Sequence, residues 1–457
     1  MLDLYLNLIS TIRLINKTMF ARKKEDEEIS KLNLYFYSAF LLIGAINLGY
    51  FISQCLLFLS LDKPLILVLG YFGVVAGSII AGVFPRTSKR KKKMLGNVLV
   101  MICNVISILF YNNMTLICAL NIITGIGIGI ISICVPFYLR EIVPEEYKKR
   151  IIVFFGIFYF IGIQINSITC WIIISLDTLS YLWVLFCVPL VFIGSQVFLQ
   201  LTFFKHDTPS YYFEDKQEET SLLALQKIYT ANERRLKEFD KLKTITTEYK
   251  IKYPTYKEIF QGEYLTLFLK GALLTTIRNA GENFILLGIT KEEQEKGHFV
   301  KYLIIMSVII TGAGFILSKL TSKRKLILAY TASSIVILTY TIMDFIHLYA
   351  PFHEYYFITE NLVIIEWMVH DMITSPVVFM YMICILPERG FTLLISLHWI
   401  TATAINCPFY YIEDNLTMVV WFDVFFLVCS LSGLFFSWFM FKESDMTKEV
   451  DRPNSIN

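Results

Sequence analysis

Thr87-Ser88-Lys89-Arg90-Lys91 recurs letter for letter as Thr321-Ser322-Lys323-Arg324-Lys325 in a chain of 457 residues. Each copy sits where one long apolar stretch ends and the next begins. The copies lie about half a chain length apart, so the pattern reads as two homologous halves produced by internal duplication. A second trace of the same event joins Tyr138, Glu141, Ile142 and Pro144 to Tyr381, Cys384, Ile385 and Pro387, with the same step from Tyr to Pro.

Composition says what surrounds these loops. Apolar residues make up 56% of the chain and charged residues 17%, with a mean hydropathy of +0.59. A soluble chain carries about a quarter charged residues. Twelve apolar stretches are each long enough to cross a bilayer: 33–57, 64–84, 94–112, 115–138, 151–174, 181–204, 264–288, 301–319, 326–347, 360–386, 391–411 and 417–441. The expectation is an all-α membrane protein with twelve transmembrane helices in two pseudo-symmetric bundles of six. Of the 41 lysines and arginines, all but Lys63, Lys291, Lys296, Lys301, Lys270 and Arg278 fall on one face of that layout. Basic loops stay in the cytoplasm, which predicts cytoplasmic termini.

The chain then divides into a cytoplasmic N-terminal segment (1–32), a first bundle (33–204), a cytoplasmic helical linker (205–263), a second bundle (264–441) and a cytoplasmic tail (442–457). The net charge of +3 comes from basic residues spread over loops as an orientation device, so no nucleic-acid partner is expected. The nine cysteines fall inside apolar spans and read as small core residues. No Ser-His-Asp order, metal-ligand spacing or nucleotide loop is present, so neither an enzyme nor a cofactor is expected. Gly125, Gly127 and Gly129 lie inside an apolar span with no strand before them. They read as close helix packing and not as a phosphate loop.

Pro136-Phe137-Tyr138-Leu139-Arg140-Glu141-Ile142-Val143-Pro144 follows that glycine-spaced span. It resembles the sugar porter family of the major facilitator superfamily, and further pieces follow in the family's order. Ala81 to Asn97 is similar to the loop 2–3 signature and retains Arg86, Arg90, Gly96 and Asn97. Asp207-Thr208-Pro209 resembles the Glu-Ser-Pro after span 6. Gly281 and Asn283 resemble the span 7 signature. Ser375-Pro376-Val377-Val378-Phe379 looks like a degraded form of the span 10 signature. Trp399 and Glu443-Ser444 sit where the family has a tryptophan and its closing Pro-Glu-Thr. The resemblance implies a major facilitator fold that moves a small polar solute, most of all a hexose, by alternating access.

Departures from the family pattern are as informative. The acidic residue of the family's 2–3 loop corresponds to Pro85, with Lys319 as its second-half counterpart. The family arginine near the start of span 4 corresponds to Asn121. Their joint loss implies a rewired inner gate, with Glu141, Asp207 and Glu443 set against Arg86, Lys89, Arg90, Lys148, Lys323 and Arg324. The bland alternative is that some of these charges only solvate loops. At the sugar site, family glutamines correspond to Gly156 and to Ile277-Arg278, the span 10 tryptophan to Phe379, and the span 11 asparagine to His398. Asn283 survives, and Gln164 and Asn166 offer amides at another depth. The substrate-binding set is therefore Asn283, Gln164, Asn166, Phe379, His398, Trp399 and Arg278.

Charges inside spans are costly and face water or a partner. Arg278 and Glu282 are one turn apart, as are Glu366 and His370, with Asp371 adjacent. Glu282, Glu366, His370 and Asp371 could gate or couple transport, or form a structural salt-bridge cluster. Phe40 to Leu57 contains no acidic residue, whereas proton-linked members of the resembled family carry one there. A facilitator is therefore expected, as a monomer, with the plasma membrane as the default location because no strong organelle signal is visible. Two alternatives stay open: a proton-coupled or exchange carrier for a charged metabolite, and a non-transporting nutrient sensor on the same fold.

Overall fold

The computed structural model describes residues 30–60, 64–84, 87–175, 182–229, 235, 236, 238–240, 255–287, 322–350, 355–412 and 416–442. Six long helices come first: α1 (Lys31–Ser60), α2 (Pro64–Val83), α3 (Lys89–Leu109), α4 (Met114–Ile142), α5 (Glu145–Ser175) and α6 (Val184–Thr202). The linker contributes α7 (Pro209–Glu214), α8 (Glu218–Gln226) and α9 (Tyr256–Ile259). The second half holds α10 (Gly262–Leu287), α11 (Ser322–Tyr349), α12 (Tyr355–Val369), a π-helical turn (His370–Thr374), α13 (Ser375–Ile385), α14 (Glu388–Ile412) and α15 (Leu416–Phe435). Seven of the described helices are long and apolar enough to cross a membrane. Expected span 8, 301–319, lies outside the described residues.

Helix ends extend past the expected spans because hydropathy marks only the part inside the bilayer. Span 4 was expected to stop at 138. Instead α4 runs to Ile142 and carries Arg140 and Glu141 in its last turn. It stops because Pro144 forces Val143 into extended geometry, with φ −84° and ψ 125°. Similarly α5 begins at Glu145, α12 at Tyr355 and α14 at Glu388. Ser88 caps α3 by accepting from the Lys91 N–H at 3.0 Å. Thr255 and Glu258 close a capping box at α9.

In the first half α4 packs against both α2 and α3, and α1 against α5. The α2–α4 seam depends on missing side chains. A Cβ added at Gly125 would lie 3.0 Å from the Gly73 Cα and 3.0 Å from the Val74 nitrogen, with the Gly70 carbonyl nearer still. Backbones this close leave a larger residue no room unless the two helices move apart. In the second half α11 packs on α15, and α10 on α14 and α15. The halves meet where α2 lies along α14 and α5 along α13.

Candidate functional site: a charged lock and a buried arginine cluster between the halves

The face carrying the basic loops is closed by charge. Lys89 at the start of α3 places Nζ 2.8 Å from a Glu141 carboxylate oxygen in α4. The same ammonium lies 3.6 Å from Glu388 at the start of α14, in the other half. Lys92 reaches Glu388 at 3.2 Å and donates to the Ala81 carbonyl at 3.0 Å. Arg140 crosses in the opposite direction, donating from one terminal nitrogen to the carbonyls of Ile383 (3.1 Å) and Leu386 (2.9 Å) at the end of α13. Those carbonyls belong to the last turn of a helix, where no intrahelical donor remains and a cation suits the dipole.

Above the charges the seam becomes apolar and hydroxylic. Phe137 meets Phe391 edge-on at 5.2 Å, and the hydroxyls of Ser78 and Ser396 lie 2.7 Å apart.

Asp207 behaves differently from the expected ion pair. The Ser88 hydroxyl donates to its carboxylate, the Arg90 backbone N–H does so at 3.3 Å, and the Thr208 N–H at 2.8 Å. The Arg90 guanidinium instead donates to the carbonyls of Phe204 (2.7 Å) and Gln200 (3.2 Å). A carboxylate at the start of α3 is better served by backbone donors and the helix dipole than by a side-chain cation. Burial raises the Asp207 carboxyl above the usual carboxylate range, and the Ser88 and Thr208 donors pull it back. Lys148 and Lys323 are half-buried, and Arg324 is exposed. Arg86 and Glu443 lie outside the described residues.

Deeper in the seam, Arg278 of α10 is fully buried. Its Nε donates to the Ser375 hydroxyl at 2.9 Å. A terminal nitrogen sits 3.4 Å from the Asn279 amide oxygen and 3.3 Å from each ring nitrogen of His398. The guanidinium carbon stacks 4.8 Å above Phe379 and 5.9 Å from the Tyr159 ring of the first half. Desolvated stacking of this kind is worth about 2 kcal/mol. Phe379 also meets Phe155 and Tyr159, at 5.5 and 6.0 Å. Trp399 packs against His398 at 4.4 Å and against Tyr71 of α2 at 5.7 Å. Arg278, Phe379, His398 and Trp399 therefore converge where the two halves touch.

Asn279 belongs to the same cluster, although sequence reasoning missed it. Its amide donates to the His398 carbonyl at 2.7 Å and to the Thr401 hydroxyl, pinning α10 to α14. The signal available was a polar residue beside an intramembrane arginine. The expected amides divide. Asn166 donates to the Ser53 hydroxyl at 2.9 Å and to Cys170, inside the first half and away from the seam. Gln164 is buried, and its amide nitrogen has no hydrogen-bond partner among the described residues.

Glu366 accepts from the Ser333 hydroxyl of α11. His370 opens the π-helical turn, a feature frequent at functional sites. It packs on Gly281, where an added Cβ would lie 2.7 Å from its Nδ1. The side chains of Glu282, Asn283 and Asp371 lie outside the described residues.

A sequence model described as "Sugar (and other) transporter" matches residues 9–449. The chain belongs to that family. Among curated relatives, a hexose transporter 1 of Plasmodium knowlesi is 24% identical over 38% of this chain and 37% of its own length. A myo-inositol transporter 1 of Candida albicans is 26% identical over 37% of this chain and 30% of its own length. The matched stretches thus span about a third of these relatives. Among solved structures, the proton:xylose symporter XylE bound to 6-bromo-6-deoxy-D-glucose superposes with a TM-score of 0.73 at 16% identity. That match covers 89% of this chain and 96% of the other. A partially occluded inward-open XylE from E. coli gives 0.72 at 14% identity, covering 91% of this chain and 99% of the other. The fold is therefore that of the major facilitator superfamily, and family membership with seven membrane-length apolar helices among the described residues makes the chain a multi-pass membrane protein.

Proposed function

We propose that this chain carries a hexose or related sugar across the membrane by alternating access, as a monomeric facilitator rather than an enzyme. The observation that supports it most is the cluster of Arg278, Phe379, His398 and Trp399 at the seam, facing Tyr159 and Tyr71 of the other half. A sugar needs an aromatic face and several hydrogen-bonding groups in one desolvated place. Phe379 and Trp399 offer the faces, while Gln164 and Asn283 offer amides from opposite halves. The basic face is cytoplasmic in this reading, and the plasma membrane is the site of action. Lys89, Lys92 and Arg140 then form the inner lock and release their partners when the halves rock apart. The relatives named for hexose and myo-inositol agree in substrate class. Helix α1 supplies no acidic residue from Phe40 to Leu57, which favours facilitation over proton coupling.

Binding-induced stabilisation tests this directly, because a ligand that binds the folded state raises its apparent stability by mass action. A neutral hexose is expected to raise the melting temperature of the purified protein, and Asn283→Ala to abolish the rise. Labelled-hexose counterflow should persist without a pH gradient. A melt that responds only to anionic metabolites, and only with Arg278 present, would instead mark a charged-metabolite carrier. Arg278→Gln should cut uptake at least tenfold at unchanged surface level, since it leaves Ser375, His398 and Phe379 without their common partner. Normal uptake by that variant would remove Arg278 from the site.

A further inference from the structure

The first half contains a second polar constellation, away from the seam, in the part of the bundle nearest the basic face. Lys93 of α3 is 1% exposed, and its ammonium lies 3.9 Å from the centroid of Phe40 in α1. Phe204 stacks on Phe40 at 3.8 Å and 7°, so the ring lies between the cation and a second aromatic. One turn further along α3, Asn97 is fully buried. Neither the Lys93 ammonium nor either polar atom of the Asn97 amide has a hydrogen-bond partner among the described residues.

Helix α6 supplies the facing side. Gln200 donates to the Arg90 carbonyl at 2.7 Å, and Gln196 to the Phe40 carbonyl at 3.0 Å. Both side-chain oxygens are left without a described partner, and both residues are buried. Because α3 and α6 run antiparallel with Gln200 level with Arg90, Gln196 sits level with the Lys93–Asn97 turn. Lys93 and Gln196 both meet Phe40, one at its ring and the other at its carbonyl, so one ammonium, one amide N–H₂ and three amide oxygens belong to the stretch where α3 and α6 pack beside α1.

This set has a definite chemistry. A buried ammonium calls for a counter-charge, and buried amides call for partners of both kinds. A halide would satisfy only the donors. A monoprotonated oxyanion meets groups of both kinds, because its oxygens accept from Lys93 and Asn97 while its hydroxyl donates to one of the three amide oxygens. We propose that Lys93, Asn97, Gln196 and Gln200 form a binding site for a hydrogen-phosphate group within the first bundle. Occupation joins α1, α3 and α6 directly behind the Lys89–Lys92 lock. The group comes from free phosphate or from the phosphate-monoester headgroup of phosphatidic acid, and the chemistry is shared; phosphatidylcholine, a diester without that hydroxyl, is the lipid control.

The test is a melt of the purified full-length protein in phosphate-free buffer, titrated with potassium phosphate and, in parallel, potassium chloride. Mixed micelles with phosphatidic acid or phosphatidylcholine form a second arm. A rise in melting temperature specific to phosphate is expected, with loss of that rise in Lys93→Met and weakening in Asn97→Leu. Without phosphate, Lys93→Met should melt no lower than the parent, because a buried cation has been replaced by an apolar side chain of similar shape. A Lys93-dependent rise with phosphatidic acid alone supports the site and assigns it to lipid. An equal rise with chloride, a rise that survives Lys93→Met, or no rise with any phosphate would overturn the proposal. If Lys93→Met fails to fold, Asn97→Leu decides: retention of the full rise overturns it, and loss supports it.

Discussion

Gly125→Val is expected to abolish recovery of folded protein. The added branches would be driven into the backbone of α2 at Gly70 and Gly73, which cannot swing aside as a side chain would. Overpacking a core costs about 1–3 kcal/mol when side chains can yield, and here the helix itself must move. Folded domains are stable by only about 5–15 kcal/mol, so separation of α2 from α4 is enough to unfold the first bundle. Size-exclusion profiles of tagged protein would read this as loss of the monodisperse peak, with Gly125→Ala intermediate. A monodisperse Gly125→Val protein with an unchanged melt would show that the seam is looser than described.

The second large effect concerns the lock at the basic face. Glu388 is 5% exposed and receives both Lys89 and Lys92 from the other half. Removing one partner of a buried pair costs about 3–5 kcal/mol, because the remaining charge stays buried. Glu388→Gln withdraws that stabilisation from the state closed at the basic face and leaves the opposite state untouched. Even 3 kcal/mol changes the ratio of the two states by roughly a hundredfold. A cysteine at Ser396, whose hydroxyl sits in the closed seam beside Ser78, should then react much faster with a membrane-impermeant thiol reagent applied from the basic face. Unchanged labelling would mean that the hydroxylic and aromatic contacts above hold the seam without the charges. Glu141→Gln should act more weakly, since Lys89 joins Glu141 within one half and keeps Glu388 as an acceptor.

The fold was legible because a bilayer imposes length and polarity on every crossing. The lock was legible only in part. Lys89 and Glu141 stand out in a basic loop and a familiar run of residues, yet their cross-half partner Glu388 falls between two apolar stretches. Its helix begins earlier than the apolar stretch that marks it. Arg140 lay inside the quoted motif but bonds to carbonyls, and backbone acceptors leave no trace in composition. Arg278 pointed to a site, whereas its expected neighbour on the same helix gave no hint of Ser375 and His398. These lie far along the chain and meet it only through packing. Gln164 and Asn166 looked equivalent two residues apart. Helical geometry separates them by about 200°, which turns Asn166 toward Ser53 in α1.

Arg140 holds the far half by peptide oxygens at Ile383 and Leu386, and that choice of acceptor has an evolutionary consequence. A clasp between two side chains fails when either is lost. A clasp onto the main chain tolerates any residue at 383–386 that keeps the helix ending where it does. Such an attachment is indifferent to sequence drift on one side. In a chain whose second half carries Cys384 where its first half carries Glu141, it is the kind of joint that can persist while the letters around it change.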